Sequence, residues 1–174
     1  MSEIRLNVPY ESQLDNNTDY FGAGFRQCNF TSHLMAVRFL KPGIRESQFE
    51  RKWYEFGDTT DHVAGTKCLA FFGIDSEWRE NLSKRHIMDQ LAQEIPVPLG
   101  VAYKSSGHIV LAIGCNDQGL LIHDPYGIRH SAHDSYDVGA NGAYDLYTWG
   151  ILDQVLFDIG QNSAWGRIIR KCPN

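Results

Sequence analysis

The sequence predicts an α+β fold in which helices occupy the first half of the chain and antiparallel strands the second. Apolar residues in the segment 28–40 recur every three or four positions, which is the period of an amphipathic helix. Between residues 97 and 124 the chain instead contains apolar and β-branched runs separated by short polar turns. Because the helical segments precede the strand segments, an α+β arrangement is favoured.

The first half of the chain contains the signals of four helices. Pro42 and Gly43 end the first of them, and Ser83 can cap the last, which Pro96 and Pro98 terminate. Before the first helix, we expect an extended lead-in over 4–10 and a polar loop over 11–27. The helices are predicted over 28–40, 46–57, 61–72 and 84–94, with a more extended stretch over 73–78.

The second half of the chain is dominated by strands. The turn at 116–119 joins two of them as an antiparallel hairpin. Residues 128–145 are polar and rich in His, Asp and Gly, which predicts a long loop. The strands are predicted over 97–103, 107–115, 119–124 and 165–170, with a helix over 148–158.

The bulk composition is that of an ordinary globular protein. The 174 residues include 43% hydrophobic and 21% charged residues, and they show no internal repeat or linker, so we expect one domain over 1–174. The net charge of −5 gives no basic footprint for nucleic acid. No run approaches the roughly 20 apolar residues of a membrane span. Without a signal peptide at the N-terminus, we expect a cytoplasmic monomer.

The four cysteines lie far apart and form no CxxC pair, which disfavours a zinc site or a disulfide framework. Cys68, Cys115 and Cys172 are interpreted as small hydrophobic residues, and Cys68 and Cys115 are expected to be buried. Cys28 differs because a polar loop precedes it and a helix begins at it. The positive end of a helix favours a thiolate, so Cys28 is a candidate nucleophile.

A thiol nucleophile needs a base and a group that orients the base. His108 begins one strand of the predicted hairpin and Asp124 ends the other. Counting from the turn, residue 108 pairs near 127 and residue 124 pairs near 111, so the two side chains are close but not opposite. A register change or a bulge would bring them together. Taken singly, His108 could be structural and Asp124 could form a turn before Pro125.

The oxyanion formed in acyl transfer needs hydrogen-bond donors. The backbone N–H of Cys28 is one candidate, and the side-chain amide of Gln13 or of Gln27 is another. We also predict that Asn29, Gln27 and Tyr126 contact the substrate. Several further aromatic residues between 126 and 149, including Tyr136 and Tyr147, are candidates for the cleft lining or for the core.

A metal site is disfavoured. Three histidines of the segment 123–137 occur together with Asp134 and Asp137, but the loop prediction there gives them no common face. His123 should face away from Asp124 if the strand alternates. The oxygen-rich segment 15–19 lacks the glycine and the terminal glutamate of a calcium loop. We therefore expect no metal and no cofactor. The segment 123–137 holds His123, His130, His133, Asp134 and Asp137.

Four short blocks occur in order along the chain, namely Pro9–Gln13, Cys28–Ser32, Gly107–His108 and Asp124–Gly127. Together they resemble the bacteriocin-leader-peptidase-like cysteine peptidases of peptidase family C39. The similarity runs from about residue 6 to 127, and it implies a papain-like fold. By this resemblance, Gln13 is the oxyanion glutamine, Cys28 the nucleophile, His108 the general base and Asp124 the orienting carboxylate. The usual Cys-Gly is replaced by Cys28-Asn29, as in lytic phage and bacterial relatives, and the spacing from Gln13 to Cys28 is longer than usual.

The favoured function is therefore a cysteine peptidase that hydrolyses a peptide amide bond, with peptidoglycan as the expected substrate. A phage endolysin that accumulates in the cytoplasm and reaches the cell wall through a holin would fit this interpretation. A papain-like module that binds peptide or glycan without catalysis is one alternative. A thiol acyltransferase or a protein-processing protease is another, because either would use the same three residues.

Overall fold

A computed structural model describes residues 3–18, 20–103, 106–132 and 135–170 of the chain. It combines helices with an antiparallel sheet. The helices are α1 (Cys28–Leu40), α2 (Glu46–Phe56), α3 (His62–Phe71), α4 (Lys84–Ala92) and α5 (Trp149–Val155). The strands are β1 (Ile4–Arg5), β2 (Asn17–Thr18), β3 (Gly22–Ala23), β4 (Ser76–Leu82), β5 (Val97–Tyr103), β6 (Ser106–Cys115), β7 (Gly119–His123), β8 (Gly127–Arg129), β9 (Tyr136–Val138), β10 (Asp145–Thr148) and β11 (Ala164–Ile169).

The main sheet places the long strands β5, β6 and β7 side by side. Its order is β10-β7-β6-β5-β11-β4, and β1 pairs with the far end of β6. All of these pairs are antiparallel. Helix α1 packs against β6 and β5, and α2 packs against α3. The beginning of α1 is thereby held next to the strand that carries His108.

Helix α1 is buried over residues 29–37, so it is packed on nearly all sides. The helix carries polar side chains into this interior, where buried polar groups need hydrogen-bond partners. Ser32 Oγ donates a hydrogen bond to the Ile109 carbonyl at 3.0 Å. Asn16 Nδ2 donates to Thr31 Oγ1 at 2.9 Å. The first bond joins α1 to β6, and the second joins it to the loop that precedes the helix.

A bulge at Ile113 sets the relation between β6 and β7. Near the turn the two strands pair in the predicted register, and beyond the bulge the register shifts by one residue. Continued past the end of β7, this register places Asp124 opposite Val110 rather than Leu111. Val110 lies two residues from His108 and therefore on the same face of β6. The bulge thus turns Asp124 toward the face that carries His108.

The helices and long strands agree closely with the sequence predictions. Helix α1 begins and ends where it was predicted, and the strands β5, β6 and β7 match within one residue. The expected extended stretch over 73–78 lies partly in β4, which continues to Leu82. The loop predicted over 11–27 contains the short pair β2–β3 and a 3-10 turn over 24–26. The helix predicted over 148–158 is shorter and ends at Val155.

The prediction of a long loop over 128–145 was wrong in part. Strands β8 and β9 form a short hairpin there, and β10 pairs with β7 at one edge of the main sheet. β9 has exposed positions. Polar residues at such positions hide the alternation of apolar and polar residues that identifies a strand in a sequence. In β10, Tyr147 is fully buried while its neighbour Thr148 is exposed. This alternation is that of an edge strand with one solvated face.

Of the helices in the described residues, none has both the length and the apolar character needed to cross a membrane. Cys68 and Cys115 are buried and unpaired, as predicted. Cys172, His133 and Asp134, which the sequence analysis considered, lie outside the described residues.

Candidate active site

Cys28 is the first residue of α1, and its side chain is partly exposed. The residue before it, Gln27, occupies the N-cap position without forming a side-chain cap. The amide groups of the first helical turn therefore stay directed out of the helix end, where they and the helix dipole favour a negative charge. The thiol lies where a thiolate is stabilised.

His108 and Asp124 form a direct pair beside this thiol. His108 Nε2 lies 2.7 Å from Asp124 Oδ1, and both side chains are buried. Cys28 is hydrogen-bonded to His108 as well. Because Nε2 is bonded to the carboxylate, the contact with the thiol falls to Nδ1. The structure therefore brings the three residues into the order thiol, imidazole, carboxylate.

The Asp124 carboxylate accepts four hydrogen bonds. On Oδ1 it accepts from His108 and from the Tyr126 backbone N–H, the latter at 2.9 Å. On Oδ2 it accepts from the Tyr147 hydroxyl at 2.5 Å and the Tyr136 hydroxyl at 2.9 Å. Both oxygens are occupied, so the carboxylate cannot rotate without losing bonds on each side.

The three groups shift one another's pKa values. Burial alone would raise the pKa of Cys28, but the hydrogen bond and charge of His108, with backbone bonds from Ile109 and Asn29, lower it. Burial alone would lower the pKa of His108, but the charge and hydrogen bond of Asp124, with the contact to Cys28, raise it to about 10. Burial likewise opposes the ionisation of Asp124, whose pKa His108 holds below its ordinary value. These shifts favour a thiolate–imidazolium pair.

The pair gives a testable pH dependence. The thiolate forms as the pH rises through the lowered pKa of Cys28, and the imidazolium is lost as the pH rises through about 10. Between those limits Cys28 should react with iodoacetamide as an ion-paired thiolate. At pH 6, where an ordinary thiol of pKa about 8.5 is almost wholly protonated, we expect alkylation at least about tenfold faster than that of glutathione. Mass spectrometry of the peptide that contains Cys28 measures this rate, and an equal rate would contradict the ion pair.

Gln13 lies at the same site and is almost fully buried. Its backbone N–H donates to the Pro125 carbonyl at 2.8 Å, which links it to the segment that carries Asp124. Its side-chain Nε2 donates to the Gly24 carbonyl at 3.0 Å, and its Oε1 has no hydrogen-bond partner among the described residues. The amide nitrogen carries a second hydrogen, which is the donor that an oxyanion would need.

The backbone at Gly24 is in tight contact with Gln13. A Cβ atom at residue 24 would lie 1.5 Å from the Gln13 carbonyl oxygen, so a larger residue must displace one of the two segments. We expect Gly24→Ala to lower the free energy of unfolding by about 1–3 kcal/mol. We also expect it to lower hydrolysis about 10²-fold, which is what a lost oxyanion donor typically costs.

Gly150→Ala provides the matched control for Gly24→Ala. Gly150 lies in α5, and a Cβ there meets nothing within 4 Å. Alanine is preferred to glycine inside a helix by about 1 kcal/mol, so this variant should be as stable as the wild type or more so. Chemical denaturation and peptide hydrolysis are measured on both variants. Wild-type activity in Gly24→Ala would contradict the role of this contact.

Cys28 and His108 face a cavity of about 480 Å³. One wall contains the aromatic rings of Tyr103 and Tyr126, which meet edge to face at 5.8 Å between centroids. Arg26 lies exposed in the lining. The full lining is Gln13, Arg26, Cys28, Thr60, Tyr103, Ser106, Gly107, His108 and Tyr126.

The three predicted substrate contacts fall in different places. Tyr126 is half-buried and lines the Cys28 cavity. Gln27 is fully buried, accepts a hydrogen bond from Asn16 Nδ2 and lines a neighbouring cavity. Asn29 is buried and donates to the Thr59 carbonyl at 2.7 Å, and it is absent from the cavity lining. The structure thus brings Tyr126 to the thiol and directs Asn29 and Gln27 into supporting contacts.

The described histidines that were considered as metal ligands either bond to backbone groups or are exposed. His123 is buried and is held between the Val8 carbonyl, at 2.8 Å from Nε2, and the backbone N–H of Tyr144. His130 is exposed. Within the described part of the chain, no three acidic, histidine or cysteine side chains lie close enough together to hold a metal ion.

Arg129 was not predicted as a site residue, and Tyr136 and Tyr147 were predicted only as candidates for the cleft lining or for the core. Arg129 and Tyr136 belong to the segment 128–145 that was predicted as a loop, and Tyr147 lies between that loop and the predicted helix over 148–158, so nothing indicated that they would approach Asp124. The alternation in Asp145–Thr148 was the available signal, because it places Leu146 and Thr148 on the face opposite Tyr147. Arg129 gave no signal of burial, since arginine is rarely buried.

A thiol at the start of a buried helix and an imidazole–carboxylate pair on an antiparallel sheet are the arrangement of the papain-like cysteine peptidases. The chain belongs to the Peptidase_C39 like family, whose sequence profile matches residues 5–154. Family and fold together indicate a cysteine peptidase. No curated protein sequence gives a significant match.

Solved structures resemble the chain over almost its whole length, and two of them are described here. One is a protein of Bacillus anthracis described as a C39-like peptidase, with a TM-score of 0.55 and 12% identity over 98% of this chain and 100% of that chain. The other is a double glycine motif protease from an AMS/PCAT transporter in complex with the leader peptide. It has a TM-score of 0.61 and 12% identity over 98% of this chain and 99% of that chain. At this identity the similarity establishes the papain-like fold.

Proposed function

We propose that the protein is a cysteine peptidase that hydrolyses a peptide amide bond in peptidoglycan, with Cys28 as nucleophile, His108 as general base and acid, and Asp124 as the orienting group. The observation that carries this proposal is the 2.7 Å pair between His108 and Asp124 beside the Cys28 thiol, in a cavity open to solvent. A buried ion pair with no reactive partner would serve structure alone. Here the third group is a partly exposed thiol of lowered pKa.

The chemistry proceeds in two steps. The Cys28 thiolate attacks the carbonyl carbon, and the oxyanion that forms accepts hydrogen bonds from the Cys28 backbone N–H and from Gln13 Nε2. The His108 imidazolium then gives its proton to the departing amine, which leaves a thioester on Cys28. A water molecule enters, His108 takes its proton, and the resulting hydroxide attacks the thioester and frees the thiolate. Asp124 stays ionised throughout and holds the imidazole in orientation.

The charge at the cavity supports peptidoglycan as the substrate. The stem peptides of peptidoglycan carry free carboxylates, and a guanidinium is the side chain best suited to bind them. Arg26 provides one in the lining of the cavity. Since the net charge of the chain is −5, an anionic substrate has to be bound by such a local cation. The resemblance of Cys28-Asn29 to lytic relatives points the same way.

Digestion of purified peptidoglycan tests the proposal. Peptidoglycans with and without interpeptide bridges are incubated with the wild type and with Cys28→Ala, and the soluble fragments are identified by mass spectrometry. We expect fragments cut at a peptide bond, released by the wild type alone. Cleavage of unrelated peptides without any peptidoglycan fragment would instead indicate a protein-processing protease.

The same fragments separate hydrolysis from acyl transfer. Hydrolysis adds one water to each cleaved bond, whereas a thiol acyltransferase joins the acyl group to a second amine. Binding to peptidoglycan without fragments of either kind would indicate a module that has lost catalysis. We propose that the protein acts as a monomer without a cofactor.

A further inference from the structure

We propose that Tyr136 and Tyr147 are positioning residues that keep the Asp124 carboxylate ionised and directed at His108, and that Arg129 is the buried counter-charge of this carboxylate. The proposal rests on the function proposed above, because it concerns the group that orients His108. It adds a further shell of interactions to the three residues that carry the chemistry.

The two phenols hold the oxygen that His108 does not use. Both hydroxyls donate to Asp124 Oδ2, and they lie 3.2 Å from each other. Each hydroxyl has one hydrogen, so both hydrogens are committed to the carboxylate. Hydrogen bonds to a charged acceptor are roughly twice as strong as those between neutral groups. Two such donors on one oxygen leave Oδ1 directed at His108.

Arg129 completes the cluster on the far side of the phenols. Its guanidinium is buried, its Nε donates to the Tyr136 hydroxyl at 2.9 Å, and its Nη2 donates to the Ala102 carbonyl at 2.7 Å. It lies over the rings of Tyr136 and Tyr147, at 5.0 Å and 5.7 Å from their centroids. A donor that is itself hydrogen-bonded to a cation is polarised, so Arg129 strengthens the bond from Tyr136 to Asp124.

The charges of the cluster balance in each step of the proposed reaction. The proton that moves between Cys28 and His108 leaves their combined charge at zero. Asp124 stays negative, and Arg129 offsets it. When His108 is neutral in the thioester intermediate, this cation offsets the buried carboxylate, whose ionisation burial opposes.

The other groups around Asp124 do not replace this arrangement. Tyr10 donates to the backbone carbonyl of Asp124 and leaves its carboxylate untouched. The Asp145 carboxylate on β10 accepts the Arg129 backbone N–H, and burial, together with the charge of Asp124, raises the pKa of Asp145. On the remaining side, His108 and the Tyr126 N–H occupy Oδ1. Burial raises the pKa of Tyr136 and of Tyr147, so both phenols keep their protons over the working pH range.

The test is the pH profile of Cys28 alkylation in Tyr147→Phe and Tyr136→Phe. Loss of a hydrogen-bond donor to Asp124 should make the carboxylate less effective in stabilising the His108 imidazolium. We expect the pH at which the thiolate forms to rise by about one unit, which means alkylation about tenfold slower at pH 6. The pH above which the His108 imidazolium loses its proton should fall correspondingly. Tyr144→Phe is the matched control, because the Tyr144 ring packs on His123 on the other side of the strand.

The same substitution in an Asp124→Asn background separates positioning from a loss of packing. If the phenols act through the charge of Asp124, Tyr147→Phe should cause no further shift in that background. An equal shift in both backgrounds would overturn the proposal, as would an unchanged profile in a folded Tyr147→Phe. Tyr136→Phe provides the same comparison if Tyr147→Phe does not fold.

The outcome for the wild type distinguishes the two proposals. A wild-type Cys28 no more reactive than glutathione would contradict the function proposed above, and the positioning role with it. A reactive wild-type Cys28 with unshifted tyrosine variants would contradict the positioning role alone.

Discussion

Replacing the Cys28 thiol by hydrogen in Cys28→Ala should lower the rate of peptide hydrolysis by about 10⁴-fold or more. The reason is that the three residues act as one unit, so removing the nucleophile removes the covalent route and leaves His108 without a group to activate. Since Cys28 is only partly buried at the end of a helix, the fold should not depend on it. Steady-state hydrolysis and a thermal melt on the same preparation measure the two effects.

Cys68→Ala is the matched control for this substitution. Cys68 is fully buried in α3, and burial raises the pKa of its thiol to about 12, so it is inert as a nucleophile. We expect a loss of stability from the small cavity and no loss of activity at a temperature where the variant is folded. Wild-type activity in Cys28→Ala would rule out Cys28 as the nucleophile.

Asp124→Ala should have the largest effect on stability as well as a strong effect on activity. It leaves the His108 imidazole and the hydroxyls of Tyr136 and Tyr147 without their acceptor. Breaking a buried pair from one side typically costs about 3–5 kcal/mol. The pKa of His108 should also fall, because the charge of Asp124 helps to raise it to about 10. Chemical denaturation and the pH profile of hydrolysis measure these changes.

Asp124→Asn separates the charge of this residue from its shape. The amide oxygen can still accept from His108, and the hydroxyls can turn to accept from the amide nitrogen. We therefore expect most of the stability to be retained while the acid limb of the pH profile moves to higher pH, since the imidazolium loses its anionic partner. If Asp124→Ala and Asp124→Asn were equally active and equally stable, the carboxylate would have neither role.

The position of Cys28 could be predicted because its determinants are local. A polar loop precedes it, three-or-four spacing follows it, and Pro42 and Gly43 stop the helix. The helix observed over Cys28–Leu40 agrees with the prediction at both ends.

From the sequence, the contact between His108 and Asp124 could be predicted only as one of several possible results of the hairpin register. The turn at 116–119 fixed the strand register next to it. The bulge at Ile113 decides whether Asp124 lies on the same face of the sheet as His108. A bulge arises from the packing of a strand against its neighbours, and a single sequence carries little trace of it.

The surroundings of Asp124 could not be predicted at all. Tyr136 and Arg129 lie in a short hairpin with exposed positions, so its polar residues indicate a loop. Tyr147 reaches Asp124 because β10 pairs with β7, a contact between segments that the polar stretch separates. Such long-range pairings depend on the finished sheet rather than on local preference.

The nucleophilic role of Cys28 is tested most directly by trapping the acyl-enzyme. Wild-type protein is mixed with peptidoglycan fragments and quenched in acid during turnover, and the mass of the peptide that contains Cys28 is measured. We predict an increase equal to the acyl portion of the substrate, located on Cys28, removed by hydroxylamine and absent from His108→Ala. Continued product formation with Cys28 unmodified at every time point, and equal product from Cys28→Ala, would contradict the proposed mechanism.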